Sequence, residues 1–533
     1  MVMGTSSSAG KSLLTAAICR CFARRGVRVA PFKAQNMSNN SAVCADGSEI
    51  GRSQAFQALA AGVPPHSDMN PILLKPEGDT RSQIILNGRP LTSTTRSSGQ
   101  GAAGRDGASV EKALQAHEYF RRKQEFWPHV TAALDRLRAE YELVVIEGAG
   151  SPAELNLSTV EIVNMAVARY AHSPVMLVGD IERGGVFAQL LGTLWLLPPE
   201  ERELIKGLVV NKFRGDLKLF DRGVEILEER GEVPVLGVLP WIEGLDLPEE
   251  DSVALTGATV GSGSGDQISA LEVVVIHLPH ISNFDDFDPI ANESSVRLRY
   301  VKSLQQLGRP DVVILPGTKN TLGDLNWLRT NGLADRILEL REQGAVIIGI
   351  CGGYQMLGRR LSNPHRVEND WEAADGLNLL DAETIFHTEK TTLQVVAEIT
   401  IDEVAPGTLG DSIRGYEIHA GQTQSDSPWI RLNVPESNEA IAGIDRSRPD
   451  GARSDDGRVW GCYVHGLFHN DRFRNAWLKS LGVTTINGSQ SNNAHQAVER
   501  SLDQLADAFE AHIDMKQLEK IIWNQERTPI HVG

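Results

Sequence analysis

Short apolar runs recur through the first half of the chain, at residues 27–32, 142–148 (ELVVIEG), 174–180 (PVMLVGD) and 207–213 (GLVVNKF). Each ends in a polar or glycine-containing loop, and helix-length segments separate them. That pattern predicts a parallel sheet covered on both faces, with ligands gathering at the carboxyl ends of its strands. Residues 254–270 (ALTGATVGSGSGDQISA) have no periodicity and the Gly/Ser/Thr content of a linker. Beyond them the alternation restarts at 271–279 (LEVVVIHLP), 311–317 (DVVILPG) and 345–353 (AVIIGICGG). The expected organisation is therefore two α/β domains, 1–253 and 271–480, joined by a linker at 254–270. Near the end, Leu502, Leu505, Phe509, Ile513 and Leu518 follow a helical spacing, so 481–533 reads as a helical extension that packs rather than reacts. The glycine-rich stretch 93–109 reads as an excursion from the first domain.

Composition narrows the class. A chain of 533 residues with 41% hydrophobic content can bury several cores. A formal net charge of -17 repels a phosphate backbone, which argues against nucleic-acid binding and for a small-molecule partner. The five cysteines are odd in number and form no CxxC, so neither a disulfide framework nor a zinc site is expected. No run reaches the roughly 18 apolar residues of a membrane span, and the N-terminus carries no secretory pattern, so a cytoplasmic protein is expected.

Two constellations carry chemistry. Gly4 to Ser12 reads GTSSSAGKS, a phosphate-binding loop with five residues between its glycines where the usual loop has four. In such a turn Gly10 admits phosphate oxygens to backbone N–H groups, Lys11 neutralises them, and Ser12 can hold Mg²⁺. Lys33, Glu147 and Asn211 each follow a predicted strand and should meet this loop at one sheet edge, Glu147 completing an Mg²⁺ shell and Asn211 reading a base. The five-residue gap resembles dethiobiotin synthetase, in which ATP activates a carboxylate or carbamate. Met1-Val2-Met3 is short against the usual ~5 to 6 residues of a strand, so either the first strand extends upstream of Met1 or it is a genuinely shortened edge.

The second constellation is IIGICGGYQMLG, where Cys351 sits in G-x-C-x-G, the cysteine analogue of a nucleophile elbow. His465 in WGCYVHGLFHN is the candidate base. Gly317 in LPGTKN and Gly352 are candidate oxyanion-hole positions. His469 reads as a surface or supporting residue and Cys462 as core. Together these groups suit amide hydrolysis through a thioester.

The segments GTSSSAGKS, PFKAQNMSNNS, EIGRSQAFQA, MNPILLKP, VVIEGAGSPAELNL, DIERGGVFA, NKFRGD, ISNFDDFDP, LPGTKNT, GICGGYQMLG, GYEIHAG and VHGLFHN occur in this order. This set resembles the glutamine-hydrolysing cobyric acid synthases of cobalamin biosynthesis over nearly the whole chain. Only 93–109, the linker and the region near 481–498 fall outside it. The resemblance implies a P-loop NTPase-like, dethiobiotin synthetase-like domain followed by a class I glutamine amidotransferase-like domain. It further implies ATP-dependent amidation of the b, d, e and g carboxylates of adenosylcobyrinic acid a,c-diamide, with L-glutamine as nitrogen donor. Cys351 and His465 would release ammonia; Lys11, Ser12 and Glu147, with Mg²⁺, would hold ATP while a corrin carboxylate takes the γ-phosphate.

Asp46 is a further metal candidate, with Glu49 beside it as a metal or orienting residue. Arg52, Lys75 and Arg81 are cationic candidates for substrate carboxylates. Class I amidotransferases usually place Glu two residues after the histidine; here Leu467 stands there, and Glu417 is the candidate partner of His465. A diamide synthase on the same scaffold and a ParA/MinD-like ATPase switch are the competing readings. The oligomeric state is not legible.

Overall fold

The computed structural model describes the chain except residues 79–80, 92–113, 116–118, 120–121, 157–160, 243, 246–258, 261–270, 436–444, 485–493 and 524–533. The excursion at 93–109 lies outside the described residues, as does most of 254–270. Within the latter, Thr259–Val260 forms a short antiparallel edge strand against Leu298 and Arg299, so part of the expected linker belongs to the second sheet.

The first domain is built on β1 (Val2–Gly4), α1 (Lys11–Arg24), β2 (Val29–Phe32), β3 (Leu143–Ile146), β4 (Val175–Asp180), β5 (Ile205–Phe213) and β6 (Val235–Pro240). β1 pairs in parallel with β4, and β5 and β6 follow in parallel. β3 pairs in parallel with β2, and a bridge between Val2 and Glu147 joins the two ladders. The order is thus β2-β3-β1-β4-β5-β6. All three residues of β1 are buried, as befits an inner strand.

Parallel pairing also sets the site. It brings the loop after β1, Lys33 after β2, Glu147 after β3 and Asn211 near the end of β5 to one edge.

The second domain has β7 (Leu271–Ile276), β8 (Val296–Val301), β9 (Val312–Leu315), β10 (Val346–Ile350) and β11 (Val459–Cys462) in the order β8-β7-β9-β10-β11, all parallel. Cys351 follows β10, and α2 (Gly352–Leu357) starts at once. A separate sheet is organised around the long antiparallel pair Ala382–Ile399 and Ser412–Ser425, with a register irregularity between Phe386 and Thr391.

The extension at the chain's end returns to the first domain. α3 (Ala494–His512) and α4 (Met515–Trp523) pack on α1, with Leu502, Leu505 and Phe509 in one core with Ile18, Phe22 and Leu236. Arg20–Asp503 (2.8 Å) and Arg24–Asp507 (2.7 Å) flank the seam. Such pairs, partly buried for Arg20–Asp503 and exposed for Arg24–Asp507, are worth ~0–1 kcal/mol each, whereas each fully buried Leu or Phe contributes about 1.5–3 kcal/mol, so apolar burial holds the helices in place.

Candidate functional site

At the first-domain edge, Gly10 precedes α1 with φ 95°, and a Cβ there would lie 2.2 Å from Asn211 Nδ2. Only glycine satisfies both the left-handed backbone and the close approach. Lys11 Nζ lies within its own loop, donating to Ser6 O (2.8 Å) and Ser7 O (3.2 Å), and reaches Gly150 O (3.2 Å) after β3. Ser12 Oγ donates to Glu147 Oε1 (2.8 Å), which also accepts from Lys33 Nζ (2.8 Å); Gln57 Nε2 donates to Glu147 Oε2 (2.5 Å). Gly10, Lys11, Ser12, Lys33, Glu147 and Asn211 therefore converge as the sequence suggested.

The structure places two further candidates, Asn211 within the loop's surroundings and Asp46 away from the cluster. Asn211 is buried and its amide donates to Ala9 O (2.9 Å), which ties it to the phosphate loop itself. Asp46 lies on the turn between strands Ser41–Val43 and Glu49–Gly51, where its carboxylate accepts from Ser48 N (3.0 Å) and Ser48 Oγ (2.6 Å). A turn-capping carboxylate bonded to its own neighbours is not in the Ser12–Glu147 cluster.

Among the described residues no three His, Cys, Asp or Glu side chains converge as a metal cage. A nucleotide-bound Mg²⁺ needs none, since phosphates and water supply most of its ligands. The donor set fits it: one hydroxyl, one buried carboxylate, and Gln57 Oε1, a buried oxygen without a hydrogen-bond partner among the described residues.

In the second domain Cys351 has φ 52° and ψ −110°, the strained elbow conformation that the small flanking glycines permit. A Cβ on Gly353 would lie 1.9 Å from Leu315 O, so the turn requires glycine there. Cys351, Gly352, Thr318 and His465 line one cavity. Gly352 stands at its wall, where a Cβ would meet Thr318 N at 3.1 Å, and Gly317 lies beside His465, a Cβ there meeting His465 Cε1 at 3.0 Å.

His465 is buried, and its Nδ1 is 2.7 Å from Asp286 Oδ2; Asp286 Oδ1 accepts from Gly466 N (2.8 Å). Burial alone would lower the imidazole pKa, but the Asp286 carboxylate and the neighbouring Cys351 raise it to about 10. The Tyr416 ring stacks on it at 5.2 Å between centroids.

The carboxylate that orients His465 is thus Asp286, and Glu417 is not its partner. Glu417 is bound instead by His419 (3.2 Å) and Arg448. Asp286 lies 179 positions from His465 in a short helical turn, Phe284–Phe287. The sequence signal was the motif ISNFDDFDP, which offers adjacent acids without saying which faces the histidine. Glu368 was also missed. It lines the same cavity, accepts a hydrogen bond from Thr321 N, and desolvation pushes its carboxyl up to about 7. His469 is half-buried rather than superficial, and Cys462 is core.

The cavity is walled from both domains. Lys75, Glu77 and Gln83 of the first and Lys319, Lys390 and His419 of the second contribute to it. Glu49 is buried between Lys75 and Lys390 (2.7 Å), and Lys75 is pushed down to about 8 by burial. Arg52 pairs with Asp285 at 2.6 Å. These groups sit at the domain junction, while nothing is described of the Arg81 side chain.

Two family models match: a CobQ/CobB/MinD/ParA nucleotide binding domain over residues 1–254, and a CobB/CobQ-like glutamine amidotransferase domain over residues 272–473. The chain therefore joins a P-loop NTPase-like nucleotide-binding domain to a glutamine amidotransferase-like domain. It is 52% identical to a cobyric acid synthase of Chloroflexus aurantiacus, covering 90% of this chain and 91% of that one. It is 47% identical to that of Herpetosiphon aurantiacus over 99% of both. For Moorella thermoacetica the identity is 46%, covering 98% of this chain and 96% of the relative. The chain belongs to the cobyric acid synthase family. No described helix is long and apolar enough to cross a membrane.

Proposed function

We propose that this protein converts adenosylcobyrinic acid a,c-diamide to adenosylcobyric acid by ATP- and glutamine-dependent amidation of its b, d, e and g carboxylates. The observation that carries the reading is Cys351 on a strained elbow, sharing one cavity with the Asp286-oriented His465.

Cys351 Sγ attacks the glutamine carboxamide carbon. Backbone N–H groups of the Gly317–Thr318 turn and the start of α2 receive the developing oxyanion. His465, held by Asp286, takes the proton that Cys351 Sγ loses and gives it to the departing nitrogen; in the second half-reaction it takes one from the attacking water and returns it to the sulfur. Ammonia and glutamate leave, and the thiol is regenerated. Arg448 and His419 hold Glu417 away from this exchange.

At the other site Lys11 and Lys33 balance phosphate charge, and Ser12 and Glu147 would hold Mg²⁺, which supplies charge neutralisation on the phosphates. The corrin carboxylate, a poor electrophile, becomes an acyl phosphate there, and ammonia displaces phosphate from it. The P-loop thus serves carboxylate activation, and the glutaminase supplies the nucleophile. Domain limits of 1–253 and 271–480 accord with this division.

Cys351→Ala tests the division. Glutamine-dependent amidation is expected to vanish while ammonia-dependent amidation persists; loss of both in folded protein contradicts it.

A further inference from the structure

Asp286 sits in a turn that the nucleotide-binding domain grips at three points. Asn283, at the start of this turn with φ 50°, donates from its backbone N to Asn40 Oδ1 (2.7 Å). Its own Oδ1 accepts from Ser41 N (3.0 Å). Arg52, the first residue of the helix Arg52–Ala60, pairs with Asp285 at 2.6 Å, and its backbone N donates to Asn40 O (3.2 Å). Asn40, Asn283, Asp285 and Asp286 are all buried, and the Arg52 side chain keeps only 23% of its exposure.

We propose that Arg52, supported by Asn40, is a positioning residue for glutamine hydrolysis: from the nucleotide-binding domain it holds the turn that presents Asp286 to His465. This rests on the glutaminase reading of Cys351 and His465 and adds a contribution from the other domain.

The physical reason is the adjacency of two buried acids. Asp285 and Asp286 would repel each other and tend to share a proton if neither were neutralised. Arg52 answers the charge of Asp285, which leaves the charge of Asp286 committed to the imidazole. The ionisable groups facing Arg52 are Asp285, Asp286, Asp288 and Tyr416, with His469 close by on the loop after β11. All belong to the second domain, so Arg52 is the cation that the first domain inserts among them. The segments EIGRSQAFQA and ISNFDDFDP, separated by more than two hundred residues in sequence, thereby become one device.

The test uses full-length Arg52→Gln, Arg52→Lys and Asn40→Ala, assayed with glutamine and separately with ammonia as nitrogen source. For Arg52→Gln the glutamine-dependent kcat is expected to fall about tenfold or more, with glutamine KM and ammonia-dependent amidation changed by less than about twofold. The acid limb of its glutaminase pH profile should move to higher pH, because the unbalanced acid pair binds a proton more readily. Arg52→Lys should restore most of the rate. Equal loss with both nitrogen sources in folded protein overturns the proposal and makes Arg52 an acceptor-side residue. An unchanged glutaminase also overturns it, as does a fall with an unmoved pH profile and no rescue by lysine. If Arg52→Gln does not fold, Asn40→Ala decides: the same split between nitrogen sources supports the proposal and its absence overturns it. A Cys351→Ala enzyme that still used glutamine would fail the underlying reading instead, a separate and distinguishable result.

Discussion

Asp286 Oδ2 stands 2.7 Å from His465 Nδ1, joining two loops 179 positions apart into one acid–imidazole pair. The pair fixes which imidazole nitrogen faces Cys351. Asp286→Asn should therefore leave the cavity's shape intact but hold the ring in the wrong state, lowering glutaminase kcat by about 10³–10⁴. Ammonia-dependent amidation should be unaffected in the same preparation. Glu417→Gln, by contrast, should cost glutaminase far less; a larger loss for Glu417→Gln than for Asp286→Asn would reverse the assignment.

The same pair makes stability depend on pH. The His465 pKa is raised in the folded state, burial being outweighed by the Asp286 charge, to about 10 from an ordinary value of 6.5. The stabilisation is therefore fully present below the unfolded value and is lost as pH rises through about 10. Urea denaturation of wild type and His465→Gln should give the widest stability gap near pH ~6 and a narrower one above pH ~10. A gap that widened with pH would contradict the charge state assigned to His465.

Glu147 ties Ser12, Lys33 and Gln57 together. Glu147→Gln should reduce amidation from either nitrogen source by about 10²–10³, the scale expected when a charge-stabilising group is lost. Glutamine hydrolysis measured alone should survive. Full retention of ammonia-dependent amidation would remove Glu147 from the activation step.

Gly10→Ala places a side chain on a backbone at φ 95° and drives it into Asn211 Nδ2. The backbone strain alone is of order 1–3 kcal/mol, so the loop should distort and nucleotide affinity, read by titration calorimetry, should fall at least about tenfold. Wild-type affinity in this variant would mean that the loop conformation is not what binds phosphate.

How much of this was legible in the sequence depended on the range of the interaction. The runs at 142–148, 174–180 and 345–353 became β3, β4 and β10, because strands buried on both faces carry uninterrupted apolar residues. β6 (VLGVLP) and β8 (VRLRYV) were passed over: one is broken by glycine and proline, and the other alternates arginine with apolar residues. The long pair Ala382–Ile399 and Ser412–Ser425 was hidden by its mixed pattern and by the irregularity that changes register after Phe386. Cys351 and His465 could be chosen from local motifs. Asp286 could not, since nothing local distinguishes it from Asp285; one faces His465 and the other Arg52. Likewise Leu502, Leu505 and Phe509 announced an apolar face but not that α1 receives it.

The most direct measurement is mass analysis of the product formed from adenosylcobyrinic acid a,c-diamide with ATP, Mg²⁺ and amide-¹⁵N glutamine. The expected product carries ¹⁵N amides at the b, d, e and g positions, with one glutamate released per amide formed. An unamidated diamide, unlabelled amides, or activity confined to the a and c carboxylates of cobyrinic acid would contradict the proposed function.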